Sequence, residues 1–305
     1  MSFVGQVKIM KLFDRLVEDG SLSHAYIFVG SEHVGKTTAA LEIAAKILKT
    51  NSGAVTHHPD LRLISRQYDE KKERLHRDIL TNDIRTVLRF AQESSFQGGA
   101  KVIIISEADR LNEESHAVLL KTLEEPTAQT YLFLLYQTLA AIPVTIRSRC
   151  QVFNFTPVSE VELTVALSEW GVIDSAQTEI IKLSRGLPGL ALSLINDPEV
   201  LKNFKADRQL IFSLLKSDLV TRFKAIEPWL EAAKDDGGVD ELVRHLEIWQ
   251  SALTPTACLQ EWAETGRAWA NLTEIHDCIR MTIKALRQNA HPKLTLEALL
   301  VKLSV

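Results

Sequence analysis

The stretch Tyr26-Ile-Phe-Val-Gly30-Ser-Glu-His-Val-Gly35-Lys36-Thr37-Thr38 decides the fold. It opens with four apolar residues, Tyr26 to Val29, which read as a buried strand. Gly30, Gly35, Lys36 and Thr37 then fall in the G-x-x-x-x-G-K-[ST] spacing of a phosphate-binding loop. An amphipathic helix follows, with Ala39, Ala40, Ile43, Ile47 and Leu48 on one side. The chemistry requires this order. The two glycines let the backbone turn tightly, so that the N–H groups of Val34, Gly35, Lys36, Thr37 and Thr38 can point at phosphate oxygens. The helix N-terminus adds its partial positive charge. Lys36 is expected to reach the β- and γ-phosphates, and the Thr37 hydroxyl is the candidate Mg²⁺ ligand.

Composition bounds what surrounds this loop. The chain has 305 residues, 46% hydrophobic and 24% charged, which is globular composition with room for a main domain and smaller ones. A formal net charge of −4 argues against a protein that grips nucleic acid alone through a broadly basic surface. No apolar run approaches a membrane span. Lys8 and Lys11 interrupt any apolar core of a secretory leader. Cys150, Cys258 and Cys278 form neither a C-x-x-C pair nor a disulfide framework, so no zinc is expected and a reducing cytoplasm is the simplest home.

Along the chain, Gly5 to Gly20 reads as a helix ahead of the phosphate-loop unit. His57-His58-Pro59-Asp60 precedes an apolar triplet, Leu61, Leu63 and Ile64. The two histidines lack further ligands nearby and read as a solvated loop. Residues 66–78 carry dense charge of both signs and read as an exposed insertion. A helix is expected over 82–92 and, after Gly98-Gly99, a second buried strand over Lys101–Ile105, a β-branched run of the parallel-sheet kind. Ser106-Glu107-Ala108-Asp109 follows that strand. In a phosphate-loop fold this strand end holds the metal and aims the attacking water. Ser106 is a poor Mg²⁺ ligand, and Glu107 is the candidate general base; a helix-cap or surface carboxylate is the plain alternative. A helix over 113–125 ends at Pro126, a third strand covers 131–136 and a fourth 152–155. Helices alternating with apolar strands imply an α/β domain with a parallel sheet. Beyond Pro157 the chain reads as helical: helices over 159–170, 174–184 and 190–195, a hinge at Asp197-Pro198, then four or five more, broken at Asp235-Asp236-Gly237-Gly238 and at Thr254-Pro255. Trp229, Trp249, Trp262 and Trp269 read as core of a helical bundle.

Several of these stretches carry a resemblance. Gly5-Gln6, Ser23-His24-Ala25-Tyr26, His58-Pro59-Asp60-Leu61, Leu119-Leu120-Lys121-Thr122-Leu123-Glu124-Glu125-Pro126, Thr145-Ile146-Arg147-Ser148-Arg149-Cys150 and Pro292-Lys293-Leu294-Thr295-Leu296-Glu297 together resemble the delta-prime family of bacterial DNA polymerase III clamp-loader subunits, which are AAA+ proteins. The resemblance covers the whole chain and is most specific in its first half. It implies an AAA+ phosphate-loop domain over 1–156, a small helical lid over 157–198 and an all-α collar that mediates oligomerisation over 199–305. It implies a component of a DNA-directed DNA polymerase holoenzyme. Its partners would be gamma/tau and delta subunits in a hetero-oligomeric ring, the sliding clamp, and primed DNA through the assembly. ATP or ADP with Mg²⁺ would be the ligand of the loop. The resemblance further implies that Arg149 is an arginine finger given in trans to a neighbour's γ-phosphate, a task suited to a permanently charged, forked donor. Without the resemblance, a surface ion pair worth under ~1 kcal/mol is the simpler reading of Arg149. Ser106 in place of a metal-binding aspartate, Tyr136 in place of a small polar sensor residue, and Gly189 in place of a sensor arginine all weaken hydrolysis in cis. Two further readings stay open: an autonomous AAA+ ATPase or gamma/tau-like motor subunit, and a nucleotide-gated scaffold outside replication.

Overall fold

The structure is a computed structural model and describes residues 3–69, 74–75, 78–96, 99–234, 238–254, 258–266, 268–288 and 290–303. Gly98, most of the charged stretch after Gln67, the break at 235–237 and Pro255 lie outside the described residues, as does the side chain of Trp269. The chain divides into two compact units, Met1–Ile195 and Asn196–Val305.

In the first unit the order is α1 (Val7–Glu18), β1 (Ala25–Val29), α2 (Lys36–Ile47), β2 (Leu61–Ile64), the short pair β3 (Tyr68–Asp69) and β4 (Arg74–Leu75), α3 (Thr81–Gln92), β5 (Lys101–Ile105), α4 (Glu113–Glu124), β6 (Thr130–Tyr136), α5 (Val144–Arg147) and β7 (Gln151–Asn154). Three helices follow: α6 (Glu160–Glu169), α7 (Asp174–Ser184) and α8 (Pro188–Asn196). The main sheet has five strands in the order β2-β5-β6-β1-β7, and every neighbouring pair is parallel. All strands therefore end on one edge of the sheet, and the loops of that edge meet there.

Strand parity explains the layers. Side chains alternate across a strand, and here both faces are covered. Ala25, Ile27 and Val29 of β1, Ile103 and Ile105 of β5, and Leu132, Leu134 and Tyr136 of β6 pack with Ile84, Leu88, Leu119, Leu123 and Ile146 from α3, α4 and α5. Tyr26, Phe28, Val102, Ile104, Phe133 and Leu135 face the other way, onto Phe13 of α1 and Ala40, Ile43 and Ala44 of α2. Burial on both sides is why these strands read as unbroken apolar runs. Each large side chain so buried contributes about 1.5–3 kcal/mol. Tyr26 stacks on Phe133 at 5.3 Å and meets the Phe13 edge at 4.9 Å. The fifth strand, β2, was not expected as a strand. It lies at the sheet edge with Arg62 and Leu63 exposed, so its pattern carries little periodic signal.

Lys101 opens β5 yet is buried; its ammonium donates to the carbonyls of Phe90 (2.9 Å), Ala91 (2.6 Å) and Glu93, closing the C-terminal end of α3. Cation and helix C-terminus are complementary. The N-terminal Gly5-Gln6 pair has both residues left-handed, φ +78° and 51°. Gln6 Nε2 donates to the Thr156 carbonyl at 2.5 Å and Gly5 abuts the Val158 side chain, so the pair clasps the segment between β7 and α6; that segment is also tied to the turn before α8, where the Val158 N–H donates to the Gly186 carbonyl at 2.8 Å. A capping box, Ser159 with Glu162, starts α6.

The second unit contains six helices among the described residues, not four or five: α9 (Pro198–Lys216), α10 (Leu219–Ala232), α11 (Gly238–Ala252), α12 (Leu259–Ala263), α13 (Trp269–Arg287) and α14 (Pro292–Lys302). The five-residue α12 is too short to show helical periodicity in sequence. Trp249 and Trp262 are fully buried in its core, and Trp229 packs against it. Arg222 is buried as well and donates to the carbonyls of Leu214 (2.8 Å) and Leu300 (3.2 Å), near the ends of α9 and α14. Among the described residues no helix is long and apolar enough to cross a membrane.

Candidate functional site

The phosphate loop leaves the carboxyl end of β1, the strand flanked by β6 and β7. Gly30 N–H donates to the Tyr136 carbonyl at 3.1 Å, tying the loop's start to the end of β6. A Cβ on Gly30 would lie 2.6 Å from the Phe155 carbonyl oxygen, so only glycine fits there. Gly35 is left-handed at φ +99° and forms the N-cap of α2. Val34 is fully buried and can serve a ligand only through its backbone, whereas Thr37 is half-buried and Thr38 exposed. Lys36 Nζ donates to the carbonyls of Gly30 (2.6 Å) and Ser31 (2.8 Å), so the loop is wrapped around its own ammonium. Burial pushes the Lys36 pKa below its ordinary value, and the nearby Asp109 and Glu32 carboxylates oppose that shift. The sterically closed glycine, the left-handed turn and the central ammonium fit the phosphate chain of a nucleotide.

The loop is also held from α8. His33, left-handed at φ 61°, turns its carbonyl to the Gly189 N–H at 2.9 Å. A Cβ on Gly189 would sit 3.0 Å from His33 Cα, closer than ordinary packing allows.

Beside the loop, at the carboxyl end of β5, Ser106 Oγ donates to the Ile64 carbonyl at 2.8 Å. Glu107 stands at φ 54°, and its carboxylate is gripped by Arg66: Nε lies 3.0 and 3.2 Å from the two oxygens and Nη2 lies 2.7 Å from Oε1. Arg66, read from sequence as the start of an exposed charged segment, has a side chain only 10% exposed. Asp109 accepts from the Gln137 N–H at 2.9 and 3.1 Å, which anchors the end of β6, and Gln137 Nε2 donates to Glu32 of the loop. Tyr136, fully buried, places its hydroxyl 3.3 Å from His116 Nε2; burial raises the tyrosine pKa and lowers that of the histidine. Gly30, the Val34–Thr38 run and Glu107 thus share one edge of the sheet.

Arg149 does not join them. It precedes β7, whose first residue, Gln151, pairs with Tyr26 near the start of β1, whereas the phosphate loop follows Val29, which pairs with Asn154 at the end of β7. About 13 Å of strand separates the two levels at about 3.3 Å per residue. The Arg149 side chain is 36% exposed, with Nη2 donating to Glu124 Oε1 at 2.8 Å and Nη1 to the Thr145 carbonyl at 3.0 Å and Ser148 Oγ at 3.2 Å. Burial pushes the neighbouring Cys150 thiol up to about 12.

Sequence reasoning missed Arg66, Glu124 and the Asp109–Gln137 tie, all of which are contacts between residues far apart in the chain. The nearest local signal was Asp109, two residues past Glu107. His57 is exposed and His58 Nδ1 accepts from the Asp60 N–H at 3.1 Å; among the described residues no group of His, Cys, Asp or Glu is arranged to hold a metal ion.

Known proteins share this architecture. The DNA polymerase III subunit delta' of Bacillus subtilis (strain 168) is 31% identical over 166 residues, 50% of this chain and 48% of that protein. The subunit delta' of Escherichia coli (strain K12) is 37% identical over 112 residues, 36% of this chain and 34% of that protein. The chain therefore spans about half the length, or less, of the curated relatives it matches. A crystal structure of a DNA polymerase III gamma subunit-related protein from Thermotoga maritima superposes over 97% of this chain and 98% of its own at a TM-score of 0.54 and 16% identity, a likeness of fold alone. The first unit has a phosphate-loop α/β fold built on a five-stranded parallel sheet. The family described as DNA polymerase III, delta subunit matches residues 5–159, half of the chain, and with the phosphate loop, the parallel sheet and the Arg149 turn all inside that span, the chain belongs to this family.

Proposed function

We propose that this chain is a non-motor subunit of a bacterial clamp loader, one that helps place the sliding clamp on primed DNA during replication and lends Arg149 to the ATP site of a neighbouring subunit. The observation that carries this reading is the placement of Arg149. The side chain is partly exposed and lies at the opposite edge of the sheet from its own phosphate loop. A phosphate that it serves must belong to another molecule. A guanidinium suits that task because it stays charged and offers a fork of donors.

The chain's own loop supports nucleotide binding. Gly30, Gly35, Lys36 and the N–H groups from Val34 to Thr38 would hold the phosphates, and the Thr37 hydroxyl would take Mg²⁺. Bound Mg-nucleotide would supply a charged ligand for loop and α8 together. The acidic strand end is poorly equipped for hydrolysis: Ser106 spends its hydroxyl on the Ile64 carbonyl, and the Glu107 carboxylate is occupied by the Arg66 guanidinium. A general base must be able to reach and accept a proton from water, and a carboxylate held in that fork is not poised to do so. That disfavours an autonomous motor. The ring partners would be gamma/tau and delta subunits, met largely through the helical second unit, and the setting would be the cytoplasm.

The test is ATP turnover by the reconstituted complex with Arg149→Ala. An arginine finger contributes about 10³–10⁵ in rate, so turnover at the adjoining site should collapse while the complex still co-elutes. Unchanged turnover removes the role.

A further inference from the structure

We propose that Glu124 is the positioning residue for Arg149; the inference rests on the trans reading above. Glu124 is the last residue of α4 and Arg149 ends the turn after α5, 25 positions later in the chain. Their side chains meet at 2.8 Å while remaining 52% and 36% exposed. Each sits beside a core anchor. Leu123 is 3% exposed and Ile146 0%, and both belong to the same apolar cluster under the sheet. The platform under the pair is therefore fixed even though the pair itself meets solvent.

Stability does not account for the arrangement. An ion pair this exposed contributes little. A carboxylate in the last turn of a helix also opposes the helix dipole, which favours cations there. Orientation does account for it. A guanidinium has five N–H donors in a rigid plane. In the described contacts Nη1 is spent on Thr145 and Ser148, and one Nη2 donor on Glu124. These contacts restrain the plane from two sides and leave Nε–H and the second Nη2–H for a phosphate. Ser148 Oγ in turn donates to the Thr145 carbonyl at 3.0 Å, so the turn under Nη1 is itself braced. A finger held in its working plane loses less rotamer freedom on reaching a neighbour's γ-phosphate.

The experiment compares Glu124→Ala, Glu124→Gln and Arg149→Ala in the reconstituted complex, singly and as Glu124→Ala/Arg149→Ala. Glu124→Ala should lower kcat at the adjoining site about 10- to 100-fold, the scale of a misplaced catalytic group, with KM for ATP unchanged. Glu124→Gln, which keeps an acceptor, should lose less. On the Arg149→Ala background Glu124→Ala should have no further effect. Wild-type kcat in Glu124→Ala, a gain in turnover, or losses that multiply in the double variant would each overturn the proposal. Arg149→Ala with wild-type turnover would instead sink the trans reading itself. Circular dichroism and co-elution of the same variants separate these results from misfolding.

Discussion

Gly5→Ala probes the clasp that ties the N-terminus to the start of α6. Gly5 is left-handed at φ +78°, which costs a residue with a Cβ about 1–2 kcal/mol. The added Cβ would also lie 2.2 Å from Val158 Cγ1, well inside contact. Overpacking of that kind costs about 1–3 kcal/mol, so the substitution should destabilise the first unit by about 2–5 kcal/mol. Trimming the obstacle separates the two parts. Val158→Ala alone removes two buried methyls from the cluster with Leu163, Leu167 and Ile180, a loss of about 1–3 kcal/mol. Combined with Gly5→Ala, it should recover the steric part, so the pair falls short of additivity by about 1–3 kcal/mol. Gly186 supplies the control. It too is left-handed, at φ +76°, but its added Cβ would meet the backbone oxygen of Val158 at 2.3 Å, which no side-chain trimming moves. Gly186→Ala and Val158→Ala should therefore add. Urea unfolding followed by far-UV circular dichroism measures each variant, and tryptophan emission reads Trp229, Trp249 and Trp262 of the second unit together with Trp170, which packs on the Val158 cluster of the first. Additive losses for Gly5→Ala with Val158→Ala would refute the steric account.

Two further outcomes are expected besides those at Arg149 and Glu124. Burial holds the His116 pKa below its ordinary 6.5. Above 6.5 the imidazole is neutral both folded and unfolded; below it the unfolded chain takes the proton first, so first-unit stability should fall as pH drops from 7.5 to 5.5. His116→Gln should flatten that slope, and an unchanged slope in urea midpoints would count against it. Trp249→Ala should cost about 3–5 kcal/mol in the second unit, whereas Trp249→Phe should cost clearly less, because the indole N–H is buried without a partner among the described residues and its loss removes an unsatisfied donor.

How much was legible in sequence follows from where each signal lies. The strands β1, β5 and β6 were visible because burial on both faces makes them continuous apolar runs, and the phosphate loop because its spacing is local. The edge strand β2 hid behind Arg62 and Leu63, one polar and both exposed. The grip of Arg66 on Glu107 spans 41 positions and begins in a stretch whose charge suggested solvent. No local pattern encodes such a contact. The same is true of Glu124 and Arg149, each of which sits in a recognisable motif with no hint that the two motifs touch. The left-handed backbone of His33 was likewise invisible, since histidine gives no sign of it and the cause is a bond to Gly189 in a segment about 155 positions away.

The wrapping of the phosphate loop around Lys36 has a thermodynamic consequence. Most cationic pockets gain by meeting an anion, since the charge was otherwise left to water. Here the ammonium already has two carbonyl oxygens, at 2.6 and 2.8 Å. A nucleotide phosphate engaging Lys36 would have to take it from them, so its affinity would reflect a swap of bonds and only the difference between them. The carbonyls of Gly30 and Ser31 thus set the standard that any phosphate oxygen engaging Lys36 has to exceed.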